Sequence, residues 1–106
     1  MGAMRVAIWL IMAAANAADA QELGDPRAGE RLAQQWCTEC HQIVYGRTET
    51  APLKPPSFYT IAGRAEVTPV WLHAFFQTPH RQMPNIILTP SERDDLSAYI
   101  LDMKRR

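Results

Sequence analysis

The chain predicts an all-α fold built from short helices, and three observations carry that reading. Apolar residues recur at helical spacing. Three segments open on a capping residue followed by proline, at Asp25-Pro26, Thr68-Pro69 and Thr89-Pro90. No stretch alternates apolar and polar residues as a half-buried strand would. The 106 residues make one small domain. Eight prolines favour short helices joined by stiff turns over one long rod.

The first segment is read as a leader outside this fold. Residues 1–20 have the three parts of a secretory signal. Arg5 supplies the charge, Val6 to Ala15 is an unbroken apolar run, and Ala18-Asp19-Ala20 is a small-x-small cleavage site, with Ala15-Asn16-Ala17 a second candidate. The run is shorter than the roughly 20 residues of a membrane span. The expected folding unit is residues 21–106, exported to a bacterial periplasm.

Each helix has its own signals. The first is expected from Pro26 to Cys37, with Asp25 as N-cap and Pro26 in the first helical position. Ala28, Leu32 and Trp36 form an apolar stripe, and Gly29, Ala33 and Cys37 form a small-residue stripe beside it. Gln42 to Pro56 is irregular, broken by Gly46, Pro52, Pro55 and Pro56, and is long enough to suggest a functional loop. Ser57 to Ala62 is a short helix with Gly63 as its stop. Thr68-Pro69 starts a helix that presents Trp71, Leu72, Phe75 and Phe76 on one face and ends at Pro79. His80 to Leu88 is a loop. The last helix opens with a capping box, Thr89 to Glu92, and carries Leu96, Tyr99, Ile100 and Met103 as a buried stripe. Lys104, Arg105 and Arg106 suit the negative end of its dipole.

Charge and cysteine usage narrow the function classes. Eleven basic and eleven acidic residues give zero formal charge, which argues against a basic nucleic-acid binder and an acidic disordered tail. Two cysteines exclude a framework of several disulfides and a four-cysteine zinc site. They lie in Cys37-Thr38-Glu39-Cys40-His41, the C-x-x-C-H pattern of c-type haem attachment. Two thiols three positions apart at a helix end can reach the two vinyl groups on neighbouring edges of one porphyrin. The next residue then aims its imidazole at the iron from the same side. The rival readings are weaker. A thioredoxin-like pair wants a βαβ unit, a zinc site needs two further ligands, and a plain disulfide leaves His41 unexplained.

At this point the chain resembles the small class I c-type cytochromes over nearly all of residues 21–106. A first helix with small residues leads into Cys37-x-x-Cys40-His41. Pro56-Ser57-Phe58 precedes Ile61-Ala62-Gly63-Arg64, Met83-Pro84-Asn85 follows, and the last helix carries Leu96-Ser97-Ala98-Tyr99-Ile100. The resemblance implies a cytochrome c-like fold of three to five short helices around one covalent haem c, held by Cys37 and Cys40. It implies His41 and Met83 as the axial ligands of the iron. The residues agree in part: Pro84 restricts Met83 to extended backbone, whereas Met103 lies on a core stripe. His80 is the rival sixth ligand.

The family also places a proline carbonyl against the proximal imidazole. Pro56 fits by position, Pro52 and Pro55 compete, and Pro55 stands where the family has glycine. Asn85 is the candidate donor to the Met83 sulfur. Arg64 and Arg81 are candidate propionate partners, and Trp36, Phe58, Trp71 and Phe76 are candidate haem-lining residues. Gly29 and Tyr99 mark the crossing of first and last helices. His73 is read as structural.

The implied function is one-electron transfer at a moderately positive potential, because methionine–histidine ligation favours the reduced metal. The partners are redox proteins, the chain is expected to be a monomer, and no acid, base or nucleophile is arranged for enzymatic chemistry. Two alternatives stay open: a haem subunit or dedicated partner of a larger periplasmic complex, and an open-site gas-binding or peroxidatic haem protein.

Overall fold

A computed structural model describes residues 24–51, 54–79, 82–84 and 86–106. The leader and the expectations for Pro52, His80, Arg81 and Asn85 lie outside them. Among the described residues the fold is all-α, with helices α1 (Pro26–Trp36), α2 (Phe58–Ala62), α3 (Pro69–Gln77) and α4 (Pro90–Asp102). A 3-10 turn, Met103–Arg105, follows α4.

Local chemistry starts each helix. The Asp25 side chain accepts from the Arg27 amide at 2.9 Å, and Thr68 accepts from the Trp71 amide at 3.2 Å. At α4 both halves of the capping box are made. Thr89 Oγ1 accepts from the Glu92 amide at 3.2 Å, and Glu92 Oε2 accepts from the Thr89 amide at 2.8 Å. Each cap satisfies amides that the first turn leaves without a helical partner. α2 stops at Gly63 with φ −72°. The stop therefore uses right-handed backbone rather than the left-handed cap that glycine often supplies.

α4 is the centre of the packing: α1, α2 and α3 all lie against it. Residues Leu96 to Ile100 are buried in unbroken succession, so this helix is covered on more than the expected stripe. Met103 joins the same core, with Phe58, Val67 and Leu72. Burying such side chains contributes about 1.5–3 kcal/mol each.

The contact of α1 with α4 is close enough to require glycine. A Cβ at Gly29 would fall 2.6 Å from the Asp95 carbonyl carbon and 2.8 Å from Tyr99 Cβ. The Asp25 amide donates to Asp95 Oδ1 at 2.8 Å across the same crossing. The stripes of α1 divide accordingly. Gly29, Ala33 and Cys37 are buried, whereas Trp36 is 53% exposed. The small-residue stripe faces α4 because only small side chains let two backbones come this near.

Further ties hold the remaining parts. Lys104 Nζ donates to the carbonyls of Val67 at 2.6 Å and Arg64 at 3.1 Å. His73 on α3 meets Asp94 on α4, with Nε2 2.8 Å from Oδ1. Among the described residues no helix is long and apolar enough to cross a membrane.

Candidate functional site

The C-x-x-C-H segment is a tight turn that continues α1. The Cys37 carbonyl accepts from the amides of both Cys40 (3.2 Å) and His41 (2.9 Å), and the Cys37 amide donates back to Ala33 at 2.9 Å. Thr38 Oγ1 donates to the Gln34 carbonyl at 3.1 Å. One carbonyl thus folds both cysteines and the histidine into a single unit at the end of a fixed helix. Cys37 is buried, Cys40 is exposed, and the two thiols are unbridged.

His41 is held from several directions. Its Nδ1 lies 2.6 Å from the Pro56 carbonyl oxygen. A carbonyl can only accept, so Nδ1 carries a proton, and in the neutral ring Nε2 holds the lone pair. Pro56, rather than Pro55, therefore supplies the carbonyl on this ring. The Phe58 ring lies tilted against the imidazole, with centroids 5.7 Å apart. The Phe58 amide donates to the Gln42 carbonyl at 2.9 Å, and Tyr99 Oη donates to the Ile43 carbonyl at 2.5 Å. The two residues after His41 are thereby tied to α2 and α4.

The loop that carries Pro56 has an anchor that the sequence did not reveal. Glu49 Oε1 accepts from the Ser57 amide at 2.7 Å, and Glu49 Oε2 accepts from Thr60 Oγ1 at 3.3 Å. Hydrogen bonds from its own backbone amide and from Ser57 hold the Glu49 carboxyl below the usual carboxylate range, and the Arg64 charge adds to them. Glu49 sits in a Thr-Glu-Thr run that reads only as loop. Eight positions separate it from Ser57, a spacing that matches no helix, strand or capping pattern.

Met83 and Cys37 line one apolar slot, together with Leu32 and Trp36 of α1, Phe75 and Phe76 of α3, Leu96 of α4, and Pro84, Ile86 and Leu88. Cys40 and His41 line a second hollow with Glu49, Lys54 and Pro55. Each of these two hollows thus pairs one cysteine with one candidate ligand. Trp71 borders neither; it stacks on Phe75 at 5.3 Å with rings 14° apart. Arg64 is exposed. Asn85 lies outside the described residues.

The donor set fits a porphyrin iron. His41 offers one nitrogen lone pair in a fixed orientation. The apolar slot beside Cys37, with its half-exposed tryptophan, offers a surface that a flat macrocycle would cover. Burial pushes the Cys37 thiol up to about 11, and Cys40 adds to the rise. Among the described residues no three histidine, cysteine or acidic side chains converge as a metal cluster.

Comparison with known proteins shows a relative that matches most of the chain. The chain is 33% identical to a cytochrome c-552 of Bradyrhizobium diazoefficiens over 93 residues, which is 88% of each chain. No protein-family model matches, and no solved structure matches. The helices around α4, the C-x-x-C-H turn and a relative matching along most of its length agree: the chain belongs to the small monohaem c-type cytochromes.

Proposed function

We propose that this cytochrome is an exported electron carrier whose haem c is joined to Cys37 and Cys40 and ligated by His41 and Met83. The observation that carries the reading is the 2.6 Å contact between His41 Nδ1 and the Pro56 carbonyl. It orients the ring through Nδ1 and leaves Nε2 as the ligand nitrogen, on the residue that follows Cys40. When bound, haem iron supplies a reversible one-electron change. The chain does the rest. The Cys37 carbonyl keeps the attachment turn folded, Pro56 holds the Nδ1 proton, and the apolar walls around Met83 keep water away.

An apolar surround disfavours the extra charge of the oxidised metal and, with a thioether ligand, raises the potential. Val44, more than half exposed, and Tyr45 closely follow the attachment turn in sequence. They offer an apolar docking surface for redox partners. Zero formal charge gives little long-range steering, which suits short-range docking. Residues 1–20 act as the export signal, and residues 21–106 are the mature domain.

Acid–acetone extraction followed by absorption spectroscopy tests this reading. The colour is expected to stay with the wild-type protein and to leave it in the Cys37→Ser, Cys40→Ser double variant. Colour extracted from the wild type would contradict covalent attachment.

A further inference from the structure

One peptide group in the site is bonded at both ends. The Pro56–Ser57 peptide accepts from His41 Nδ1 through its carbonyl oxygen at 2.6 Å. Its N–H donates to Glu49 Oε1 at 2.7 Å. Both groups belong to one resonant amide, so charge placed at one end is felt at the other. We propose that Glu49 is a positioning residue for His41, acting through the Pro56–Ser57 peptide to strengthen the imidazole as an iron ligand and to lower the reduction potential.

The inference rests on the haem reading above. Its logic is that of a carboxylate behind a metal-bound histidine, with one peptide inserted between them. A carboxylate on the Ser57 N–H makes a charge-assisted hydrogen bond. That bond polarises the amide and raises the negative charge on the Pro56 oxygen. The oxygen then draws harder on the Nδ1 proton, and Nε2 becomes a better donor. Stronger donation favours the oxidised metal, so the effect opposes the thioether of Met83. Glu49 is placed for this task. Thr60 Oγ1 holds its second oxygen at 3.3 Å. Its carboxyl, held below the usual range, is ionised at neutral pH. The same carboxylate also fixes the loop, so charge and anchoring must be separated.

The Glu49→Gln holoprotein separates them, because the amide oxygen still accepts from Ser57 while the charge is gone. Potentiometric titration is expected to show the reduction equilibrium shifted about threefold toward the reduced form. That is roughly 28 mV upward, taking 59 mV per decade for one electron. Losing the carboxylate of a direct metal–histidine pair costs about 10–100-fold in metal affinity or activity, and a smaller effect is expected through an intervening peptide. An unchanged potential, with haem attached and the sulfur–iron band intact, would overturn the proposal and leave Glu49 as a loop anchor.

If that variant does not fold, the wild-type reduced protein decides. Its Ser57 amide proton is expected far downfield and slow to exchange, and exchange at a free-loop rate would overturn the relay. Wild-type protein without covalent haem would instead overturn the underlying haem reading, whatever the state of the Ser57 amide.

Discussion

Among the described residues, the His41 side of the site is drawn together by hydrogen bonds and the Met83 side is lined by apolar walls. Around His41, polar ties from distant parts of the chain converge: the Pro56 carbonyl, Glu49 behind it, the Phe58 amide on Gln42 and the Tyr99 hydroxyl on Ile43. Met83 lines a slot walled by apolar side chains of α1, α3 and α4. Beyond it, Arg93 Nη1 donates to the Leu88 carbonyl at 2.8 Å, tying the end of the segment to α4. Directional bonds set an orientation, whereas apolar contact sets a position and permits adjustment. On the proposed ligation, His41 is the pre-arranged ligand, and Met83 is expected to be the more replaceable of the two.

The largest expected effect breaks this comparison at its two ends. His41→Ala is expected to abolish most holoprotein, measured as covalent haem per chain. Met83→Ala is expected to keep the haem, lose the weak far-red sulfur–iron band and bind carbon monoxide once reduced. Equal holoprotein loss in both variants would mean that the two sides are equally pre-arranged.

Gly29→Ala strikes the frame that both sides share. Its Cβ meets Asp95 and Tyr99, so a loss of about 1–3 kcal/mol in unfolding free energy is expected by denaturant titration, as for overpacking elsewhere. Tyr99→Phe removes the hydroxyl on the Ile43 carbonyl and is expected to destabilise by about 1 kcal/mol, with the loss felt on the His41 side. A capping pair gives a finer comparison. Ser57→Ala at α2 and Thr89→Ala at α4 each remove a side-chain cap worth about 1 kcal/mol. Ser57 lies next to the peptide on His41, so only its variant is expected to alter the potential.

The smallest effect is on acid stability. The Glu49 carboxyl is lowered in the folded chain, so its contribution is present above its unfolded value, about 4.3. It is lost as pH falls through the lower folded value. Acid unfolding of Glu49→Gln, followed by circular dichroism, is expected to be less steep over that range.

The residues that were legible in the sequence are those whose role is set by near neighbours. Asp25, Thr68 and Thr89 cap the helices they precede, and the α4 stripe is buried as its spacing implies. The attachment turn was legible because its chemistry fits within five positions. Sequence reading faltered where the determinant is distant in the chain. Trp36 continues a helical apolar stripe, yet α4 approaches the neighbouring small residues and leaves it exposed. Glu49 gave no signal, because its partners are Ser57 and Thr60, brought to it only when the loop folds back. Pro56 could be separated from Pro55 only by seeing which carbonyl reaches the imidazole.

The central claim is that His41 and Met83 both ligate one iron, leaving no position open for a third ligand. The most direct test is the absorption spectrum of the reduced wild-type protein at neutral pH, recorded with and without carbon monoxide. The two spectra are predicted to coincide; a shift of the haem bands on adding the gas would contradict the account.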